Sequence, residues 1–138
     1  MKADRYRYDD HDRPDLRDLP THAGVDKDCR EEIEEKTAEN IETMKELQDA
    51  LYADGREGIV IVLQAMDAAG KDSTIKHVMS GLNPQGVMVH SFKQPGAEEL
   101  AHDYLWRVVQ HLPPRGSIAI FNRSHYEDVL AVQILDLW

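Results

Sequence analysis

The sequence predicts an α/β fold built on a parallel sheet with flanking helices. Three observations carry that expectation. Short β-branched runs alternate with longer helix-like segments; the runs are apolar throughout, as in strands covered on both faces; and a loop of small residues joins the first run directly to a helix.

The elements follow in order. Residues 1–28 mix charges, prolines and a glycine with no sustained apolar period, which reads as an extended or disordered arm; residues 29–138 read as the domain. A helix is expected over 29–53, with Ile33, Ile41, Met44, Leu47 and Leu51 as its apolar stripe. Asp28 is its possible N-cap, Gly55 lies just past its end, and Glu31, Glu32, Glu34 and Glu35 occupy its first turns, where the helix dipole favours negative charge. IVIVLQ at 59–64 reads as a strand buried on both faces. AMDAAGKDST follows, and the helix it opens continues to about Ser80, where Gly81 stops it. VMVHSF at 87–92 reads as the second strand. AEELAHDYLWRVVQHL at 97–112 reads as one helix burying Leu100, Tyr104, Leu105, Val108 and Leu112, with Arg107 paired to Asp103 one turn back. Pro113, Pro114 and Gly116 break it, SIAIF at 117–121 is the third strand, and NRSHYED leads into the apolar stretch VLAVQILDLW.

Composition narrows the function. The chain of 138 residues carries 16 basic and 26 acidic side chains, a net charge of −10, which argues against a nucleic-acid-coating protein. The acidity is uneven: 10 basic and 18 acidic residues precede Ile59, and only 6 and 8 follow. An anionic ligand bound by the second part would meet no strongly repelling local field. A single cysteine, Cys29, excludes a disulfide framework, and without a leader or an 18-residue apolar run the expectation is a cytoplasmic protein with no membrane partner.

The loop from Ala65 to Thr74 carries the chemistry. Small residues between strand and helix let successive N–H groups of Ala68, Ala69, Gly70, Lys71, Asp72, Ser73 and Thr74 converge, and Lys71 adds a full positive charge to that of the helix terminus. Ala65 and Asp72 depart from G-x-x-x-x-G-K-[ST], and the plainer alternative is a tight turn in which Gly70 only permits a left-handed backbone. Asp67 and Asp72 beside Lys71 would repel a bare phosphate but suit one bound together with Mg²⁺. Ligands of open α/β sheets sit beyond the carboxyl ends of the strands. Lys93 follows the second strand there, and Asn122, Arg123, Glu127 and Asp128 follow the third. Cations converging with carboxylates are the inventory of phosphoryl transfer.

Three long blocks, LQAMDAAGKDSTIKHVMSGLNPQGV, SFKQP with the following EEL and HDYLWR, and LPPRG with IAIFNRSHYEDVLAV, resemble the type-2 polyphosphate kinase family. That resemblance implies a P-loop kinase-like sheet and Mg²⁺- or Mn²⁺-assisted transfer of the terminal phosphate between inorganic polyphosphate and AMP/ADP or GMP/GDP. It implies Asp67 and Lys71 as Walker A residues, Lys93 as a polyphosphate-contacting lysine, and Asn122 and Arg123 in a Walker B-like segment. Catalytic roles then fall to Asp67, Lys71, Lys93 and Arg123, and metal binding to Asp67 and Glu127. The intact enzyme would be a homo-oligomer. The family continues into an arginine-rich lid where this match fades, so the expectation is the N-terminal portion of such a domain. Two other readings stay open: a kinase using ATP as donor, and a fragment that only binds phosphate or presents a surface.

Overall fold

The computed structural model describes residues 15, 17–19, 29–66 and 68–127. Asp28, Asp67, Asp128, most of the arm and the stretch after Glu127 lie outside the described residues. The elements are α1 (Arg30–Asp54), β1 (Ile59–Leu63), α2 (Lys71–Met79), a 3₁₀ turn (Pro84–Gly86), β2 (Val87–Ser91), α3 (Ala97–Leu100), α4 (Trp106–Val109) and β3 (Ile118–Asn122). The chain divides into two compact units, one up to Glu39 and one from Asn40. In the first, the helix is solvated and carries the ion pairs Arg30–Glu34 (2.7 Å) and Lys36–Glu39 (3.1 Å).

In the second unit three parallel strands lie in the order β1-β3-β2. The register pairs Ile59 and Val87 with Ile118, and Leu63 and Ser91 with Asn122, so all three strands end in one row. The first crossover steps past β3 and the second steps back. Crossovers of one hand that run in opposite directions lay their helices on opposite faces of a sheet. The packing agrees. Ile118 and Ile120 face Ile75 and Met79 of α2 with Met44 and Leu51 of α1, whereas Ala119 and Phe121 face Val108 of α4 and Phe92. The core therefore sits on β3, whose residues 118–121 are all buried.

Three expectations need correction. The run at 59–63 is not buried on both faces: it is a flanking strand with one paired neighbour among the described residues, and Ile59, Val60 and Val62 are exposed. Burial on both faces belongs to β3, which alone has a strand on each side. The stripe of α1 is rotated, with Leu47 62% exposed and Gln48 buried at 5%. Gln48 fits there because its amide is fully used: Nε2 donates to Asn83 O (2.9 Å) and Oε1 accepts the Asn83 N–H (2.8 Å). Finally, 97–112 is two short helices with a break at 101–105. Asp103 diverts the chain there, its Oδ1 accepting the Leu105 N–H (2.9 Å) and its carbonyl the Trp106 N–H (2.8 Å). Of the five apolar residues expected inside, Val108 alone is buried; Leu100, Tyr104, Leu105 and Leu112 are exposed. No helix of the described residues is long and apolar enough to cross a membrane.

Candidate functional site at the carboxyl edge of the sheet

The aligned strand ends place three polar loops side by side. After β1 the chain passes through Ala68, with φ +62°, and Gly70, with φ +90°, before entering α2. Both conformations are left-handed, and they turn the loop tightly enough for the helix to begin at Lys71. Thr74 closes the first turn, its N–H and its hydroxyl both reaching Gly70 O (2.8 and 3.0 Å). Lys71 arches back over the loop and donates Nζ to the carbonyls of Ala65 (2.7 Å) and Met66 (2.9 Å). Asn122, at the end of β3, donates Nδ2 to Asp72 Oδ1 (2.5 Å) and so joins β3 to the N-terminus of α2. Arg123 follows with φ +71°, a conformation a branched-chain or bulky residue adopts at some cost, while its N–H still reaches Leu63 O (3.1 Å).

Two adjoining clefts result. One, of about 290 Å³, is lined by residues 68–73 together with Asn122 and Arg123. The other, of about 390 Å³, lies between the same Asp72, Asn122 and Arg123 and the segment from Ser91 to Gln94, which includes Lys93. The structure thus brings Lys71, Arg123 and Lys93 along one connected opening, as the strand-end argument requires. The Thr74 hydroxyl donates back to Gly70 O within the first turn of α2. Glu127 stands apart from both linings and is held by Gln64, whose Nε2 donates to Glu127 Oε1 (3.2 Å). Asp67 lies outside the described residues.

Three residues of this edge, Gln64, Arg107 and Glu99, hold contacts that sequence spacing does not predict. Gln64 reads as the last residue of a strand, yet its amide bridges Glu127 and the fully buried Ser124, whose Oγ donates to Gln64 Oε1 (2.7 Å). Arg107 is buried and does not pair with Asp103: its Nε is 3.2 Å from Glu99 Oε1, and its Nη2 donates to Lys93 O (2.7 Å). An eight-residue separation across a broken helix leaves no periodic signal for that pair. Glu99 also accepts the Gly96 N–H (2.7 Å), which places it at the start of α3. Among the described residues no group of three or more His, Cys, Asp or Glu side chains is gathered as a metal site.

The described residues form a parallel α/β sheet with two clefts at the carboxyl ends of its strands. The family model described as Polyphosphate kinase 2 matches residues 27–138. The chain is 45% identical over 134 residues to the ADP-polyphosphate phosphotransferase of Rhodopseudomonas palustris, covering 97% of this chain and 46% of that protein. It is 56% identical over 94 residues to the AMP/ADP-polyphosphate phosphotransferase of Meiothermus ruber, covering 68% of this chain and 35% of that one. Among solved structures, polyphosphate kinase 2 from Arthrobacter aurescens TC1 superposes with a TM-score of 0.70 at 39% identity, over 74% of this chain and 38% of that one. The chain belongs to the polyphosphate kinase 2 family, and it spans less than half the length of these relatives.

Proposed function

We propose that the protein containing this chain moves the terminal phosphate between inorganic polyphosphate and a nucleoside mono- or diphosphate. One observation carries the reading: Lys71, Arg123 and Lys93 line one connected pair of clefts that share Asp72, Asn122 and Arg123. A polyanion and a phosphate acceptor meeting end to end need cations distributed in that way, because the transferring group holds its charge on peripheral oxygens. The relatives named for ADP, and for AMP and ADP, support the acceptor class.

In this reading the loop amides from Ala68 to Gly70 and the start of α2 hold phosphate oxygens. Lys71 exchanges its two loop carbonyls for the phosphate, Lys93 binds the polyphosphate chain, and Asn122 with Arg123 addresses the nucleotide phosphates. Ser73, on the lining of the smaller cleft, and Asp72 complete the cradle. Asp72, the carboxylate that lines both clefts, is the described oxygen donor suited to Mg²⁺ or Mn²⁺ there, and the family resemblance adds Glu127 and Asp67. A carboxylate oriented by an amide, as Glu127 is by Gln64, is the usual form of a hard-cation ligand, and such cations bind through one or two carboxylates plus phosphate. Glu127 and Asp67 would hold the ion, which when bound neutralises charge on the transferring group. No covalent intermediate on the protein is needed: alignment and charge carry the rate.

The test is Lys71→Ala in the longer protein, assayed for ATP formation from polyphosphate and ADP. Turnover should fall by about 10²–10³-fold, the usual loss on removing one oxyanion-stabilising group. Wild-type turnover would overturn the site assignment, and an equal rate of ADP formation from AMP with ATP in place of polyphosphate as donor would overturn the choice of polyphosphate.

A further inference from the structure

We propose that Arg107 and Glu99 form a clamp that sets the position of Lys93, making Arg107 a positioning residue for polyphosphate binding; this rests on the reading of Lys93 given above. The segment Phe92–Gly96 carries Lys93 out from the end of β2 with its side chain exposed. The clamp grips that segment at three points. The Arg107 guanidinium carbon lies 5.1 Å from the centre of the Phe92 ring, Nη2 donates to the Lys93 carbonyl (2.7 Å), and Glu99 Oε2 accepts the Gly96 N–H (2.7 Å). Arg107 and Glu99 are joined in turn by the 3.2 Å contact between Nε and Oε1.

Arg107 is 6% exposed beside the buried Val108, a place where an aliphatic side chain would meet no desolvation cost. A guanidinium there is explained by what it can direct: Nη2 takes the Lys93 carbonyl while the flat group meets the Phe92 ring, and the buried Nε makes an ion-pair contact with Glu99 without a hydrogen bond. Arg107's own contacts end on Phe92, on the Lys93 carbonyl and on Glu99, and Glu99 carries the clamp to Gly96 at the far end of the loop. They fix the origin from which the exposed ammonium swings across the larger cleft.

The experiment compares Arg107→Lys, Lys93→Ala and the double variant in the longer protein, reading kcat, the KM values for polyphosphate and for ADP, and Tm. Lys93→Ala should raise the polyphosphate KM about tenfold, the loss expected for one phosphate-binding cation. Arg107→Lys should raise it about fivefold, leave the ADP KM within about twofold, and add less than about twofold in the Lys93→Ala background, because its effect passes through Lys93. If Arg107→Lys acts in full in both backgrounds, or moves both KM values together with a fall in Tm, its role is structural and the clamp is overturned. Should Arg107→Lys not fold, Glu99→Gln keeps an acceptor for Gly96 while removing the charge facing Arg107, and the same selective rise in polyphosphate KM is expected from it. An unchanged KM in that variant also overturns the clamp. If Lys93→Ala alone leaves the polyphosphate KM unchanged, the reading of Lys93 itself falls, whatever Arg107 does.

Discussion

Gln48 shows how much one buried amide decides. Its two hydrogen bonds take up both backbone groups of Asn83, in the segment joining α2 to β2, so α1 is tied by polar contacts to the crossover as well as by Met44 and Leu51 to the core. Replacing it with an apolar residue of similar size removes both partners at once. Gln48→Met should leave the Asn83 N–H unsatisfied, while the Asn83 carbonyl keeps the Gly86 N–H (3.1 Å), and cost about 1–3 kcal/mol, the penalty for an orphaned buried polar group. Urea unfolding would show this as a lower midpoint at unchanged slope; an unchanged midpoint would mean that water replaces the amide. The same position explains a failure of periodic reading. Counting apolar residues selects Leu47, whereas the helix face that meets the sheet is chosen by the residue able to satisfy Asn83. A hydrophobic pattern cannot register that preference, because Asn83 is 35 residues away.

At the scale of elements, strands were legible because their β-branched runs are short and bounded by glycine or proline. The loop before α2 was legible because small residues beside a lysine have few other uses. The segment 97–112 was not, since its apolar spacing mimics a continuous helix while Asp103 interrupts it with local hydrogen bonds. The break matters to packing against β2. His111, just past α4, stacks on His90 of β2 with ring centres 3.4 Å apart, and the edge of Phe92 meets His90 at 4.5 Å. Burial first, then the facing His111 and Arg107, hold the His90 pKa below its ordinary 6.5, against a smaller opposing effect of Glu99. A histidine depressed in the folded state takes up its proton more readily when unfolded. Its neutral form therefore contributes stability above about pH 6.5 that is lost as pH falls from there through the folded pKa. Stability measured by denaturant midpoint should decline below that pH. His90→Phe, which keeps the stack and removes the titration, should flatten the decline; an unaltered acid slope in that variant would place its source elsewhere.

For the whole molecule, the limit of the sequence was the neighbour relation. An apolar run says that a strand will be covered but not by which strand or on which side, and so β1 read as buried on both faces when the order β1-β3-β2 puts β3 between the other two described strands. The carboxyl edge escaped this ambiguity, because in a parallel sheet every strand delivers its carboxyl end to the same side whatever the order. That is why Lys71, Lys93, Asn122 and Arg123 could be gathered from sequence, while the supporting Gln64 and Arg107, whose partners depend on lateral neighbours, could not. The order also carries a physical consequence. Val60 and Val62 of β1 and Met88 and Val89 of β2 are exposed on strands that each have one paired neighbour among the described residues. Exposed apolar side chains on a flanking strand favour pairing with other chains. The 138-residue chain should accordingly sediment as concentration-dependent oligomers. The variant carrying Val60→Lys and Val62→Lys should shift toward monomer, since charge on such a strand opposes that pairing. A monomer at all concentrations without the substitutions would show that these strands are covered within the chain itself.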